Sequence, residues 1–253
     1  MIATLRAALR LLFFALGSLY YIALILVANR CWGPDVARTL RWRQRWFAQI
    51  VRGMGVQIEV RGELPQGGGL LVCNHRSYFD PLIIMPQLLA IPVGKIEMRH
   101  WPIIGIGAAI SGVVFVDRQS VPGRRAARAE IRQKLREGYF VINFPEGTTH
   151  HDAQTRAFKP GVFKDAAAAK LPIYPVALEY QLPSDAWVGD DTFLRHFMAC
   201  FGKRRTHIRV HYGPAIRAER ADELIDRSQG WIDRQIRQLR SDWYAIPSES
   251  VVL

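Results

Sequence analysis

The stretch Cys73-Asn74-His75-Arg76-Ser77-Tyr78-Phe79-Asp80 holds a histidine and an aspartate five positions apart. A carboxylate on one imidazole nitrogen fixes the tautomer and leaves the other nitrogen free to take a proton from a hydroxyl, so His75 and Asp80 could act as a general base and its orienting partner. The pairing needs a turn, because that spacing on a regular helix points the two side chains apart. The flanks suggest one. Leu70-Leu71-Val72-Cys73, after Gly67-Gly68-Gly69, has the length and composition of a buried strand. Asp80-Pro81 before Leu82-Ile83-Ile84-Met85 has the form of an N-cap followed by proline at the first helical position, with the helix expected to run to about Leu89. A turn histidine beside a helix cap would look the same, so the elements around the pair matter.

The chain before and after the pair alternates between strand and helix patterns. Val56-Gln57-Ile58-Glu59-Val60 alternates as a half-buried strand, and Ile91–Lys95 and Gly112–Val116 read as further short strands. Helix-spaced charge follows from Pro122 to Glu137, and Tyr139–Phe144 is an apolar strand running into Pro145-Glu146-Gly147-Thr148-Thr149. Thr206–Tyr212 alternates like an edge strand, and Ala221–Trp243 is a closing amphipathic helix. This order predicts an α/β fold: a mixed, largely parallel sheet flanked by helices, with functional loops at the strand carboxyl ends. The apolar, glycine-rich residues Met98–Ile110 could line a groove or pack on the sheet.

The amino end differs from this body. Leu11–Ala28 is eighteen residues without a charge, bracketed by Arg6, Arg10 and Arg30, which is membrane length and longer than a usual signal-peptide core. Residues 36–54 then mix Arg38, Arg41, Arg43, Arg45 and Arg52 with Leu40, Trp42, Trp46, Phe47 and Ile50, the pattern of a basic amphipathic helix with interfacial tryptophans. The expected organisation is a two-helix membrane-anchoring segment over 1–54 and an α/β domain over 55–253. The helices could dip into one leaflet or span it; in the second case the arginine excess keeps the domain cytoplasmic. With 34 Lys and Arg against 22 Asp and Glu, the net charge of +12 favours anionic partners. A basic nucleic-acid-binding protein is the alternative this charge admits, but no recognisable binding module accompanies it and the basic residues cluster beside the apolar segment. Cys31, Cys73 and Cys200 have no short spacing and suggest neither disulfides nor zinc. Adjacent His150 and His151 point in different directions and do not make a metal site either.

Four ordered blocks resemble the glycerolipid acyltransferase family, typified by 1-acylglycerol-3-phosphate acyltransferase of bacterial type: Asn74-His75 through Asp80, Gly112-x-x-Phe115-x-x-Arg118, Phe144-Pro145-Glu146-Gly147-Thr148 and Ile173-Tyr174-Pro175-Val176-Ala177. The resemblance implies transfer of a fatty acyl group from a thioester, acyl-CoA or acyl carrier protein, to the free hydroxyl of a lysophospholipid at a membrane, on the cytoplasmic face of a bacterial inner membrane. It implies no cofactor, no metal and no nucleic acid. His75 and Asp80 would be catalytic, and Arg118, Glu146, Gly147 and Thr148 would contact the acceptor. Arg118 offers a guanidinium fork to phosphate, unless it pairs with Asp117 or Glu146. Glu146 could instead fix its loop, and backbone N–H groups near Gly147 are candidates for stabilising an oxyanion. The family pattern points first to 1-acylglycerol-3-phosphate as acceptor and phosphatidic acid as product. One departure opens an alternative, lyso-ornithine lipid: Thr149 stands where lysophosphatidate acyltransferases usually carry arginine, with Arg156 and Lys159 as the residues able to replace it.

Overall fold

The computed structural model describes residues 1–244, so the end of the expected domain, 245–253, lies outside the described residues. Among the described residues seven strands form one sheet: β1 (Val56–Arg61), β2 (Gly69–Cys73), β3 (Ala90–Lys95), β4 (Val114–Val116), β5 (Phe140–Asn143), β6 (Ile173–Tyr180) and β7 (Thr206–Tyr212). Their order is β1-β7-β6-β2-β5-β3-β4, parallel throughout except for the antiparallel β6–β7 pair. The mixed, largely parallel α/β architecture expected above is therefore the observed one. Fully buried β2 lies at the centre, apolar on both faces because both are covered.

Eight helices accompany the sheet among the described residues: α1 (Ile2–Trp32), α2 (Val36–Gly53), α3 (Asp80–Ile84), α4 (Ile104–Ile110), α5 (Val121–Arg136), α6 (Gly161–Ala168), α7 (Phe193–Gly202) and α8 (Ala221–Tyr244). One apolar layer joins Ile50, Met54, Ile83, Phe197 and Phe201 to one face of the sheet. The other joins Ile131, Phe163, Ile232 and Ile236 to the opposite face.

Three local expectations change. The Pro81 helix stops at Ile84, where turns with N–H bonds back to Pro81 and Ile84 carry the chain to β3. β7 is interior, paired on both sides; its alternation reflects one face packed and one half-covered, and β1 and β4 hold the edges. Trp46 is buried under α1 rather than interfacial, stacking on Tyr21 with ring centroids 5.3 Å apart and donating its indole N–H to Ser18.

α1 is long and apolar enough to cross a membrane, and Leu5, Leu9, Leu12, Leu16 and Leu19 are exposed on it. Its inner side is tied to the body by polar anchors: Arg6 donates to the Gly202 carbonyl, and Arg10 to those of Gly53, Phe201 and Lys203. Arg43 of α2 is buried without a carboxylate partner and donates to the Ser111 carbonyl at 2.6 Å and to that of Ala90, so one side chain joins α2, the end of α4 and the start of β3. Burial lowers its pKa to about 9, which keeps it charged at neutral pH.

Gly17 of α1 lies against the Trp46 side chain of α2. A Cβ there would fall inside the Trp46 ring. Gly17→Leu should therefore push the helices apart and destabilise the protein by about 1–3 kcal/mol, read as a lower midpoint in thermal unfolding of the detergent-solubilised chain. An unchanged midpoint would mean that this contact is not close-packed.

Candidate active site

His75 sits two residues beyond β2, where the carboxyl ends of β2, β3, β4, β5 and β6 gather their loops. Asn74 makes the exit. Its side chain accepts from Leu178 N–H and donates to Leu178 C=O, both at 2.8 Å, so an amide stands in for one more ladder pair while the chain turns out of the sheet.

Asp80 is fully buried and four donors converge on it. Oδ2 accepts from His75 Nδ1 at 2.8 Å and from the N–H groups of Arg76 and Ser77 at 2.7 and 2.9 Å; Oδ1 accepts from Tyr180 Oη at 2.9 Å. Asp80 is the first residue of α3 and does not cap it, since its side chain reaches back to close the 75–80 turn. Burial, then the Asp80 charge, pushes the Tyr180 phenol well above its ordinary pKa, so it remains a donor. With Nδ1–H given to Asp80, His75 Nε2 keeps its lone pair. The ring stacks on Phe144 at 4.1 Å and is about one-fifth exposed. That arrangement can take a proton from a hydroxyl in the adjoining cavity.

The loop after β5 grips the His75 backbone on both sides. Glu146 Oε1 accepts from His75 N–H at 2.9 Å, and His150 N–H donates to His75 C=O at 3.2 Å. Glu146 Oε2 accepts from Arg156 N–H at 2.7 Å and from His150 Nε2. Both Glu146 oxygens are thus committed, its side chain is buried, and it is absent from the cavity wall. Of the two expected roles, the geometry is that of a loop brace, not of an acceptor ligand. Gly147 takes φ +74°, which favours glycine; a methyl group there would also come within 2.5 Å of Lys159 Nζ, a flexible side-chain end that could move aside. Its own N–H is used on Phe144 C=O. The N–H groups of Thr148 and Thr149 find no partner among the described residues, and both residues line the cavity.

A second set of buried charges supports these loops. Fully buried Arg76 donates to the carbonyls of His150 and Asp152, each at 2.9 Å, and to Glu179 Oε2 at 3.0 Å. Arg240 of α8 donates to the same Glu179 oxygen at 3.1 Å and to the carbonyls of His151 and Asp152. The two histidines of the 150–152 run are thus part of this brace. Arg76, His150, Glu179 and Tyr180 had no role assigned from sequence. Only Arg76, embedded in the His–Asp stretch, carried a signal: a charge between apolar strand and helix needs a buried partner.

The cavity at His75 has a volume of about 320 Å³. Its apolar wall includes Ile22 and Ile25 of α1, Phe47 of α2, and Met98, Ile104 and Ala108 from the 98–110 stretch. Lys95, Arg118, Thr148 and Thr149 line the wall too, and no aspartate or glutamate does among the described residues. Arg118 donates to Gly147 C=O and pairs with neither Asp117 nor Glu146; burial lowers its pKa, and the nearby Glu97 charge partly offsets that. Arg156 is exposed, 3.5 Å from Asp152, and is not on the wall.

The Acyltransferase family model matches residues 56–179. A lyso-ornithine lipid O-acyltransferase from Pseudomonas aeruginosa is 31% identical over 201 residues, covering 76% of either chain. The 1-acyl-sn-glycerol-3-phosphate acyltransferase alpha of Homo sapiens is 32% identical over 130 residues, 49% of this chain and 46% of the relative. The crystal structure of the 1-acyl-sn-glycerophosphate (LPA) acyltransferase PlsC from Thermotoga maritima shares the fold, with a TM-score of 0.68 at 17% identity, covering 94% of this chain and 98% of that one. The chain belongs to the acyltransferase family, within its lysophospholipid branch, and is an O-acyltransferase.

If Glu146 is a brace, Glu146→Gln should lower kcat by up to about a hundredfold through a misplaced His75 while leaving the acceptor KM within about twofold. A raised KM at unchanged kcat would make it a substrate ligand instead.

Proposed function

We infer that the protein moves a fatty acyl group from an acyl thioester to the hydroxyl of lyso-ornithine lipid at a membrane. The observation that carries the acceptor is Thr149 on the cavity wall beside Arg118, where the family's lysophosphatidate enzymes usually have arginine, with Arg156 turned away from the cavity. The lyso-ornithine relative, matched over three-quarters of its length, supports the same choice. Arg118 suits the single carboxylate of an ornithine headgroup, and the neutral threonine leaves room for its amine.

In the reaction, His75 Nε2 takes the acceptor hydroxyl proton as that oxygen bonds to the thioester carbonyl carbon. The Asp80 carboxylate, held by four donors, steadies the imidazolium. The N–H groups of Thr148 and Thr149 stabilise the tetrahedral oxyanion. Collapse breaks the carbon–sulfur bond, and the proton on Nε2 passes to the leaving thiolate. The apolar part of the cavity, walled partly by α1 and α2, holds an acyl chain beside the bilayer. The long apolar helix attaches the enzyme to the membrane, and the basic residues that follow place the catalytic domain on the cytoplasmic side. Acyl-CoA or acyl carrier protein is the donor; no metal or other cofactor takes part.

Lysophosphatidate is the second reading, favoured by Lys95 and Arg118 on a wall free of carboxylates among the described residues. A competition assay separates the two. Protein in liposomes with one labelled acyl donor and equal lyso-ornithine lipid and lysophosphatidate should give mainly ornithine lipid. Mainly phosphatidic acid would reverse the order. His75→Ala should lose at least about a thousandfold in turnover with the better acceptor and stay membrane-bound; near-normal turnover would remove the base.

A further inference from the structure

Three cations form an arc that starts at Arg118 on the cavity wall and continues to Arg124 and Lys159, which are off the wall. Arg124 of α5 donates to the Arg118 carbonyl at 2.6 Å, Arg118 donates to the Gly147 carbonyl, and Lys159 Nζ lies against Gly147. A second tie brings the same elements together: a Cβ on Gly161, at the start of α6, would meet Arg128 Cδ of α5 at 3.5 Å. Arg124 and Lys159 are exposed, and neither pairs with a carboxylate among the described residues.

Further along α5, three cations are paired with carboxylates. Arg128 and Arg132 share Asp165 at 2.7 and 3.0 Å, and Lys134 meets Glu137 at 2.9 Å. Arg124 instead stands near the start of α5, where the helix end disfavours a cation and the first turn itself holds no acidic residue. The fold itself gains little from that placement. Lys159, for its part, crowds Gly147.

The geometry points to the arc as the site for the phosphate of the donor's phosphopantetheine arm, a reading that rests on the acyl-thioester reaction above. Arg118 faces inward on the cavity wall and serves the acceptor, whose anionic group lies close to its reacting hydroxyl. The donor's phosphate is separated from its thioester by the whole pantetheine arm and so must fall further out. Arg124 and Lys159 are exposed cations off the cavity wall that adjoin Arg118 and the Gly147 whose carbonyl it holds. The phosphate is common to coenzyme A and to acyl carrier protein, so one rim serves either donor, and a guanidinium with an ammonium suits its oxygens.

The test is binding without acceptor, so that its result is independent of which lysolipid is acylated. S-Hexadecyl thioethers of pantetheine, 4′-phosphopantetheine, coenzyme A and acyl carrier protein are titrated into the full chain in phosphatidylcholine nanodiscs. The phosphopantetheine thioether should bind about tenfold or more tighter than the pantetheine thioether. In the Arg124→Gln/Lys159→Gln double variant that ratio should fall to within about twofold, with pantetheine thioether affinity retained as the control for folding. Arg227→Gln, which removes a cation from an exposed pair on α8, should leave the ratio as in the wild type. Similar losses with the coenzyme A and carrier-protein thioethers support the shared phosphate, and a larger loss with one identifies the donor the rim serves. A wild type indifferent to the phosphate, a ratio unchanged in the double variant, or a loss seen with coenzyme A but not with phosphopantetheine overturns the assignment.

Discussion

The structure turns on one buried negative charge. Asp80 has no exposed surface, and a carboxylate so placed is tolerable only if its oxygens are met by donors. The turn from His75 to Asp80 takes the shape that delivers three of them from its own residues, and Tyr180 brings the fourth from β6. Satisfying the charge therefore fixes the path of the loop, the tautomer of His75 and the junction with the neighbouring strand at once. The imidazole is oriented because the carboxylate has to be solvated, so folding alone sets the geometry that the proposed general base needs.

The same logic extends outward through Glu146, Arg76 and Glu179. Each is buried, and each bridges segments far apart in the chain. Glu146 ties the loop after β5 to the His75 N–H, while Arg76 returns from the His75 loop to hold carbonyls of that same segment. Arg240 then joins α8 to the network through Glu179. Taking such groups out of water is costly, and replacing them with apolar residues of similar volume often leaves stability unharmed or improved. What they supply here is position: the His75 loop and the loop after β5 are held in register by directional bonds.

Legibility in the sequence followed the distance between partners. His75 and Asp80 lie within one short stretch, and strand composition before them with proline after them marks the turn that brings them together. The alternation of short apolar runs with helix-spaced charge was enough for the sheet and its covering helices. Tyr180 and Glu179 were invisible because their partners lie 100 and 103 positions away, and nothing local distinguishes a strand tyrosine that meets a carboxylate from one that only packs. Alternation does not place β7, because it reports how many faces are covered, not how many neighbours a strand has. The arginines around Trp46 suggest an interfacial residue, whereas the vacancy left by Gly17 on another helix decides where it goes.

Charge is distributed over the site by function more than by stability. The net charge of +12 is spread over the chain, yet the charged side chains on the cavity wall are cations alone among the described residues, and the carboxylates nearest His75, Asp80 and Glu146, are sealed behind it. A low-dielectric wall amplifies each remaining charge, so a single guanidinium such as Arg118 can orient an anionic headgroup that it would hold weakly in water. A further cation at position 149 would deepen a preference for a doubly charged phosphate. Threonine there leaves that cation out, in keeping with the single carboxylate of the proposed acceptor. Under the proposed reaction, acceptor choice follows from how many positive charges face the cavity, while the His75–Asp80 turn need not change.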